Sequence, residues 1–196
     1  MDSTYQERLK SAFARAVEWH AGQDRKGKGI PYVSHLMAVS AIVMENGGGP
    51  DEVIAALLHD AVEDAGGRPT LEKIRSEFGQ QVADIVEGCT DAYTTPKPPW
   101  KQRKEAYIAH VATAPASVRL VSAADKLHNA RSTLTDYRRV GLEHWKAFRG
   151  GRDGSLWYYR SLVDAFSRVD RTPLVEQLDE VVTALEAEVK RREGID

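Results

Sequence analysis

The segment His59-Asp60-Ala61-Val62-Glu63-Asp64 places four ionisable side chains in six residues, at the end of an otherwise apolar stretch, Val53–Leu58. On a continuous helix, residues four apart lie one above the other, so Glu63 would stack on His59 and Asp64 on Asp60. Carboxylates crowded at the end of a buried helix are costly without a partner. A bound cation relieves that cost, and His with Asp are competent ligands. The plain alternative is a solvated helix end with one satisfied histidine. The second acidic pair at matched spacing tips the reading toward a metal site.

Other donors occur elsewhere. His35 opens an apolar segment just after Tyr32, and alone it reads equally as a capping or packing histidine. Asp125 follows two alanines, with Asn129 four residues later on the same helical face. Its alternative is a salt bridge with Lys126 or Arg119. Arg25, Lys26 and Lys28 form a basic run in a glycine-containing loop between His20 and His35. Such a run is often just solvated, but its position between two histidines favours an anion-contacting role.

These residues must be positioned by helices, because the apolar spacing is helical almost throughout. Tyr5, Leu9, Ala12, Phe13, Ala16, Val17 and His20 mark one face of a first helix, which makes His20 a packed, hydrogen-bonded histidine. Ser34 is the expected N-cap of a second, ended by Gly47–Gly49. Pro50 suits the first position of a third, Asp51 and Glu52 suit its positive end, and it is expected to run on to about Asp64. Shorter helices are expected at 70–78 and 80–87, then a proline-rich loop at 93–100. Further helices are expected at 101–113, 116–136, 142–148, 155–170 and 173–192. No alternating strand pattern of useful length occurs. The fold class is therefore all-α, a single helical domain over residues 1–196, with a motif-bearing core at about 5–136 and a C-terminal helical part at about 137–192.

The ordered blocks His20-Ala-Gly-Gln-Asp-Arg25-Lys26, Pro31-Tyr32-Val-Ser-His35, Ala55-Ala-Leu-Leu-His59-Asp60-Ala-Val-Glu63-Asp64 and Ala124-Asp125-Lys-Leu-His-Asn129-Ala-Arg131 resemble the HD-domain metal-dependent phosphohydrolases. Within that family they are similar to the stringent-response alarmone hydrolases of the RelA/SpoT type and their small stand-alone relatives. The resemblance implies that His35, His59, Asp60 and Asp125 ligate one divalent ion, usually manganese, with iron or zinc also suited to two His and two Asp. It implies that Glu63 and Asp64 orient and deprotonate the attacking water. Arg25 and Lys26 resemble contacts to guanine and nearby phosphates, Asn129 matches a position lining the nucleotide site, and Arg131 is expected to face phosphate. The chain departs from the family where Leu36 follows His35 in place of a common proline. It departs again after about residue 136, where it looks more like small bacterial HD proteins with a Trp-Tyr-Tyr helix.

The expected activity is removal of pyrophosphate from the 3′ position of guanosine tetra- or pentaphosphate. The alternatives are action on another nucleotide, such as NADPH or adenine alarmones, or a non-catalytic nucleotide-binding module. The 196 residues leave room for about one hydrolase domain and none for a synthetase. A net charge of −2, with acidic residues grouped at 59–64 and basic ones at 25–28, suits a small polyphosphorylated ligand rather than nucleic acid or a membrane surface. One cysteine, no signal-peptide core and no run of about 20 apolar residues point to a cytoplasmic protein. The Lys97–Lys104 cluster reads first as exposed surface. Trp157, Tyr158 and Tyr159 read as core or interface. The oligomeric state is not legible.

Overall fold

A computed structural model describes residues 2–26, 28–93 and 96–194. The helices are α1 Ser3–Trp19, α2 Val33–Glu45, α3 Pro50–Leu58, α4 Ala61–Asp64, α5 Arg68–Phe78, α6 Gln80–Cys89, α7 Trp100–Val111, α8 Ala116–Val140, α9 Gly151–Val169 and α10 Pro173–Glu193; a 3₁₀ turn covers Gly141–Ala147. Among the described residues, extended pairing is confined to one bridge, Asp24 with Pro31. Parts of the expected loop at 93–100 lie outside the described residues.

The helices group into two compact units: Met1–Pro98 with Ala114–Ala124, and Pro99–Thr113 with Asp125–Asp196. In the first, α3 is the centre. It packs against α1, α2 and α6, and Val53 to Leu58 are buried without exception. A helix apolar on all sides suits only such an interior position. Pro50 begins it and Asp51 and Glu52 occupy its first turn, as expected. Asp51 also receives Arg8 of α1 at 2.6 Å. Gly48 is required by close approach: a Cβ there would overlap the side chain of Val43 and lie 2.9 Å from its carbonyl oxygen.

In the second unit, α9 packs on α7 and α10. Tyr137 is fully buried beside Trp145, ring centroids 5.3 Å apart. Trp100 lies against Gly150 and Gly154, where side chains would collide with its indole. Tyr158 and Tyr159 are buried, as their spacing suggests. Lys104 sits over the Tyr158 ring at 4.8 Å.

Three local expectations are corrected. Ser34 does not cap α2; the helix starts at Val33 after Tyr32, with no side-chain cap, and Ser34 N–H bonds the Pro31 carbonyl in a turn that leads into it. Phe13 and Val17 are exposed, while Ala12, Ala16 and His20 are buried. Small side chains let α1 approach α3 closely, so the packed stripe is the alanine one. The third helix stops at Leu58 rather than Asp64. His59 and Asp60 keep right-handed backbone angles, but they form a step between α3 and the single turn α4.

Candidate metal centre and catalytic carboxylates

The step at His59 and Asp60 aims both side chains inward. His59 is 2% exposed, and its Nδ1 lies 2.8 Å from the carbonyl oxygen of Ala56. A carbonyl only accepts, so Nδ1 carries the proton and Nε2 presents a lone pair. That Nε2 is 3.1 Å from Asp60 Oδ2. His35, on α2 and fully buried, brings its Nε2 to 3.6 Å from the same oxygen. The two imidazoles meet edge to face with centroids 5.3 Å apart. A neutral imidazole lone pair facing a carboxylate oxygen calls for a proton or a cation between them. The backbone-anchored Nδ1–H is the usual support for a metal-binding histidine.

Asp125, carried by α8, is also buried. His35 and His59 each turn Nε2 toward the Asp60 carboxylate. Asp125 Oδ2 pairs with Lys126 Nζ at 2.5 Å, and its Oδ1 accepts from the Asn129 amide. The salt bridge weighed against a ligand role for Asp125 thus exists. Burial alone would lower the Lys126 pKa, but Asp125, helped by Tyr158 and Tyr107, offsets it and holds the ammonium well above its ordinary range. The donor set of imidazole and carboxylate suits a divalent first-row ion.

Glu63 and Asp64 follow on α4. Glu63 Oε1 accepts the Asp91 backbone N–H at 2.8 Å, and its Oε2 pairs with Lys97 Nζ at 2.9 Å. Burial, then the Asp91 and Asp60 charges, push the Glu63 pKa up, against the pull of the Asp91 N–H and Lys97. Lys97 also stands 3.7 Å from Asp64 Oδ1. Burial works to lower its pKa, but the Glu63 and Asp64 charges prevail and raise it. The surface reading of Lys97 is therefore corrected: it bridges the two carboxylates. Nothing in local spacing announced this, because the partners are 34 residues apart.

The basic loop is pinned by backbone bonds from Arg25 N to Ile30 O and from Tyr32 N to Gln23 O, each 2.8 Å. Arg25 lies 5.7 Å over the Tyr32 ring, and the Tyr32 hydroxyl donates to Asp60 Oδ2 at 2.5 Å. Lys26 is exposed. Arg131 is exposed and donates to Gln177 of α10 at 3.0 Å. Sequence reasoning missed Tyr32, Asp91 and Gln23 as participants; only Tyr32's place beside His35 offered a signal.

A family model described as "HD domain" matches residues 12–154. The chain belongs to the HD-domain family. This HD domain is 39% identical over 137 residues to the guanosine-3′,5′-bis(diphosphate) 3′-pyrophosphohydrolase MESH1 of Xenopus tropicalis, covering 68% of the chain and 72% of that protein. Against the human protein of the same name the identity is 37% over the same length. A solved structure described as a metazoan ortholog of SpoT that hydrolyses ppGpp superposes with a TM-score of 0.73 at 25% identity, covering 96% of this chain and 97% of that one. The expected all-α HD fold and the resemblance to alarmone hydrolases are both borne out. Among the described residues, no helix is long and apolar enough to cross a membrane.

Proposed function

We propose that this HD domain removes pyrophosphate from the 3′ position of guanosine tetra- and pentaphosphate, in the cytoplasm and with manganese as its metal. The reading rests on one observation. The Asp60 carboxylate meets the imidazoles of buried His35 and His59, immediately before the Glu63–Asp64 pair. The similarity to alarmone hydrolases supports the substrate.

His35, His59, Asp60 and Asp125 hold the divalent ion. When bound, it supplies a Lewis acid for the phosphoryl oxygen and lowers the pKa of a coordinated water. Glu63 and Asp64 orient the attacking water and accept its proton as its oxygen bonds to the 3′-attached phosphorus; the bond from that phosphorus to the ribose 3′ oxygen breaks, the 3′ oxygen takes up a proton to become a hydroxyl, and pyrophosphate leaves. The Glu63 pKa, raised by burial, makes it a better proton acceptor than an ordinary surface carboxylate. Arg25, already leaning on an aromatic ring, offers a planar guanidinium to the guanine base, and Lys26 meets the phosphates. Asn129 and Arg131 complete the nucleotide contacts.

The test is pyrophosphate release from guanosine tetraphosphate with manganese, alongside NADPH and adenine analogues. Release from the guanine alarmone, abolished in Asp60→Ala, is expected. No release, or release undiminished in that variant, overturns the proposal.

A further inference from the structure

We infer that His20 and Gln23 are positioning residues that hold Asp64 in its proton-accepting orientation. This rests on the role assigned to Asp64 above. His20 closes α1, its backbone N–H bonding the Ala16 carbonyl. Its ring is 4% exposed, and it stacks on Tyr32 at 5.1 Å with planes 21° apart. Stacking and burial leave the ring one orientation, with Nδ1 2.7 Å from Gln23 Oε1. The other end of that amide, Nε2, donates to Asp64 Oδ2 at 2.8 Å.

The hydrogen bonds permit one direction only. Asp64 as a carboxylate accepts, so the Gln23 amide must turn its NH₂ toward it. Oε1 then faces His20 and requires a proton on Nδ1. His20 Nε2 is buried and has no hydrogen-bond partner among the described residues. The ring proton therefore resides where Gln23 needs it. Gln23 is itself fixed at the backbone, its N–H on the His20 carbonyl at 3.1 Å and its carbonyl accepting from Tyr32 N–H. The chain His20–Gln23–Asp64 thus grips one carboxylate oxygen while Lys97 stands 3.7 Å from the other. The same Tyr32 ring that stacks on His20 bonds Asp60, so one aromatic pair sets both a ligand and a base.

A water-activating carboxylate held out of line loses rate rather than affinity, since substrate binding does not use it. Gln23→Ala is expected to lower kcat about 10- to 100-fold with KM changed less than about threefold. His20→Phe keeps the stacking but loses the donor and should lose kcat similarly. His20→Asn restores a donor at the Nδ1 position and should recover most of it. The double variant His20→Phe/Gln23→Ala should be no slower than Gln23→Ala alone. Metal content and Tm are measured on each. A purely structural role predicts instead that kcat follows Tm, that Asn rescues no better than Phe, and that the two losses multiply.

A second readout needs no substrate: ¹⁵N NMR of the imidazole should show the proton on Nδ1 in the wild type and a tautomer mixture in Gln23→Ala. Proton residence on Nε2 in the wild type overturns the inference. So does wild-type turnover left unchanged by Gln23→Ala, which leaves the functional proposal standing. A wild type that releases no pyrophosphate overturns the functional proposal, and the positioning role with it.

Discussion

The Tyr32 hydroxyl lies 2.5 Å from Asp60 Oδ2, so the residue that supports Arg25 also restrains a carboxylate of the proposed metal centre. Outer hydrogen bonds of this kind typically govern metal affinity by about 10- to 100-fold. Tyr32→Phe keeps the ring and deletes the donor. Its manganese affinity, read by titration of the metal-free protein, is expected to fall by about tenfold. Unchanged affinity would show that the hydroxyl does not orient Asp60.

Glu63 is a costly residue in this position, since burial and neighbouring carboxylates raise its pKa. The folded protein then holds that proton to a higher pH than the unfolded chain does. Unfolding releases it in the window between the ordinary and the raised pKa, so stability falls as pH rises through that window and is flat above it. Glu63→Gln retains a carbonyl for the Asp91 N–H and removes the charge. Its Tm at neutral pH should equal or exceed the wild type's, this part of the pH slope should vanish, and kcat should fall at least about 100-fold. A lower Tm with intact activity would reverse both assignments.

Lys97 lowers the cost of ionising Glu63, with which it pairs at 2.9 Å. Lys97→Met should push the Glu63 pKa further up, moving the acid limb of the kcat profile to higher pH. A pH–rate profile checks this; an unshifted limb would mean that Lys97 does not act on the base.

Metal removal should cost stability as well as activity, because His35 comes from α2 and His59 and Asp60 from the step after α3. At a metal concentration one hundred times Kd the expected stabilisation is about 2.7 kcal/mol. Chelation should therefore lower Tm in a scanning experiment, and added manganese should restore it.

Gly48 sits where any side chain meets Val43. Gly48→Ala lies outside a helix and gains no propensity, so overpacking decides the sign. A loss of about 1–3 kcal/mol in denaturant unfolding is expected.

Much of this was legible in the sequence because it is local. Helical spacing marked α1, α3 and α10, and Pro50 with its acidic followers marked the start of α3. His35, His59, Asp60 and Asp125 stood out as residue types in order. What escaped were features set by distant partners. Ser34 looked like a cap, but the turn from Pro31 fills that role with backbone bonds. The break after Leu58 was hidden because His59 and Asp60 keep helix-like angles. Lys97 looked like solvent-facing charge, since nothing in a proline-rich loop reveals that it reaches Glu63. His20 was legible as a packed histidine, but its link through Gln23 to Asp64 spans 41 residues beyond that glutamine.

The first unit is not a continuous stretch of chain: it takes Met1–Pro98 and then resumes at Ala114–Ala124. Val118 covers Gly88, and Ser122 meets Cys89 at 3.7 Å. During synthesis on the ribosome, the apolar side of α6 must wait for those later residues to emerge. Until then the nascent chain displays a sticky, half-covered helix, and this interval is where a chaperone would have most to do.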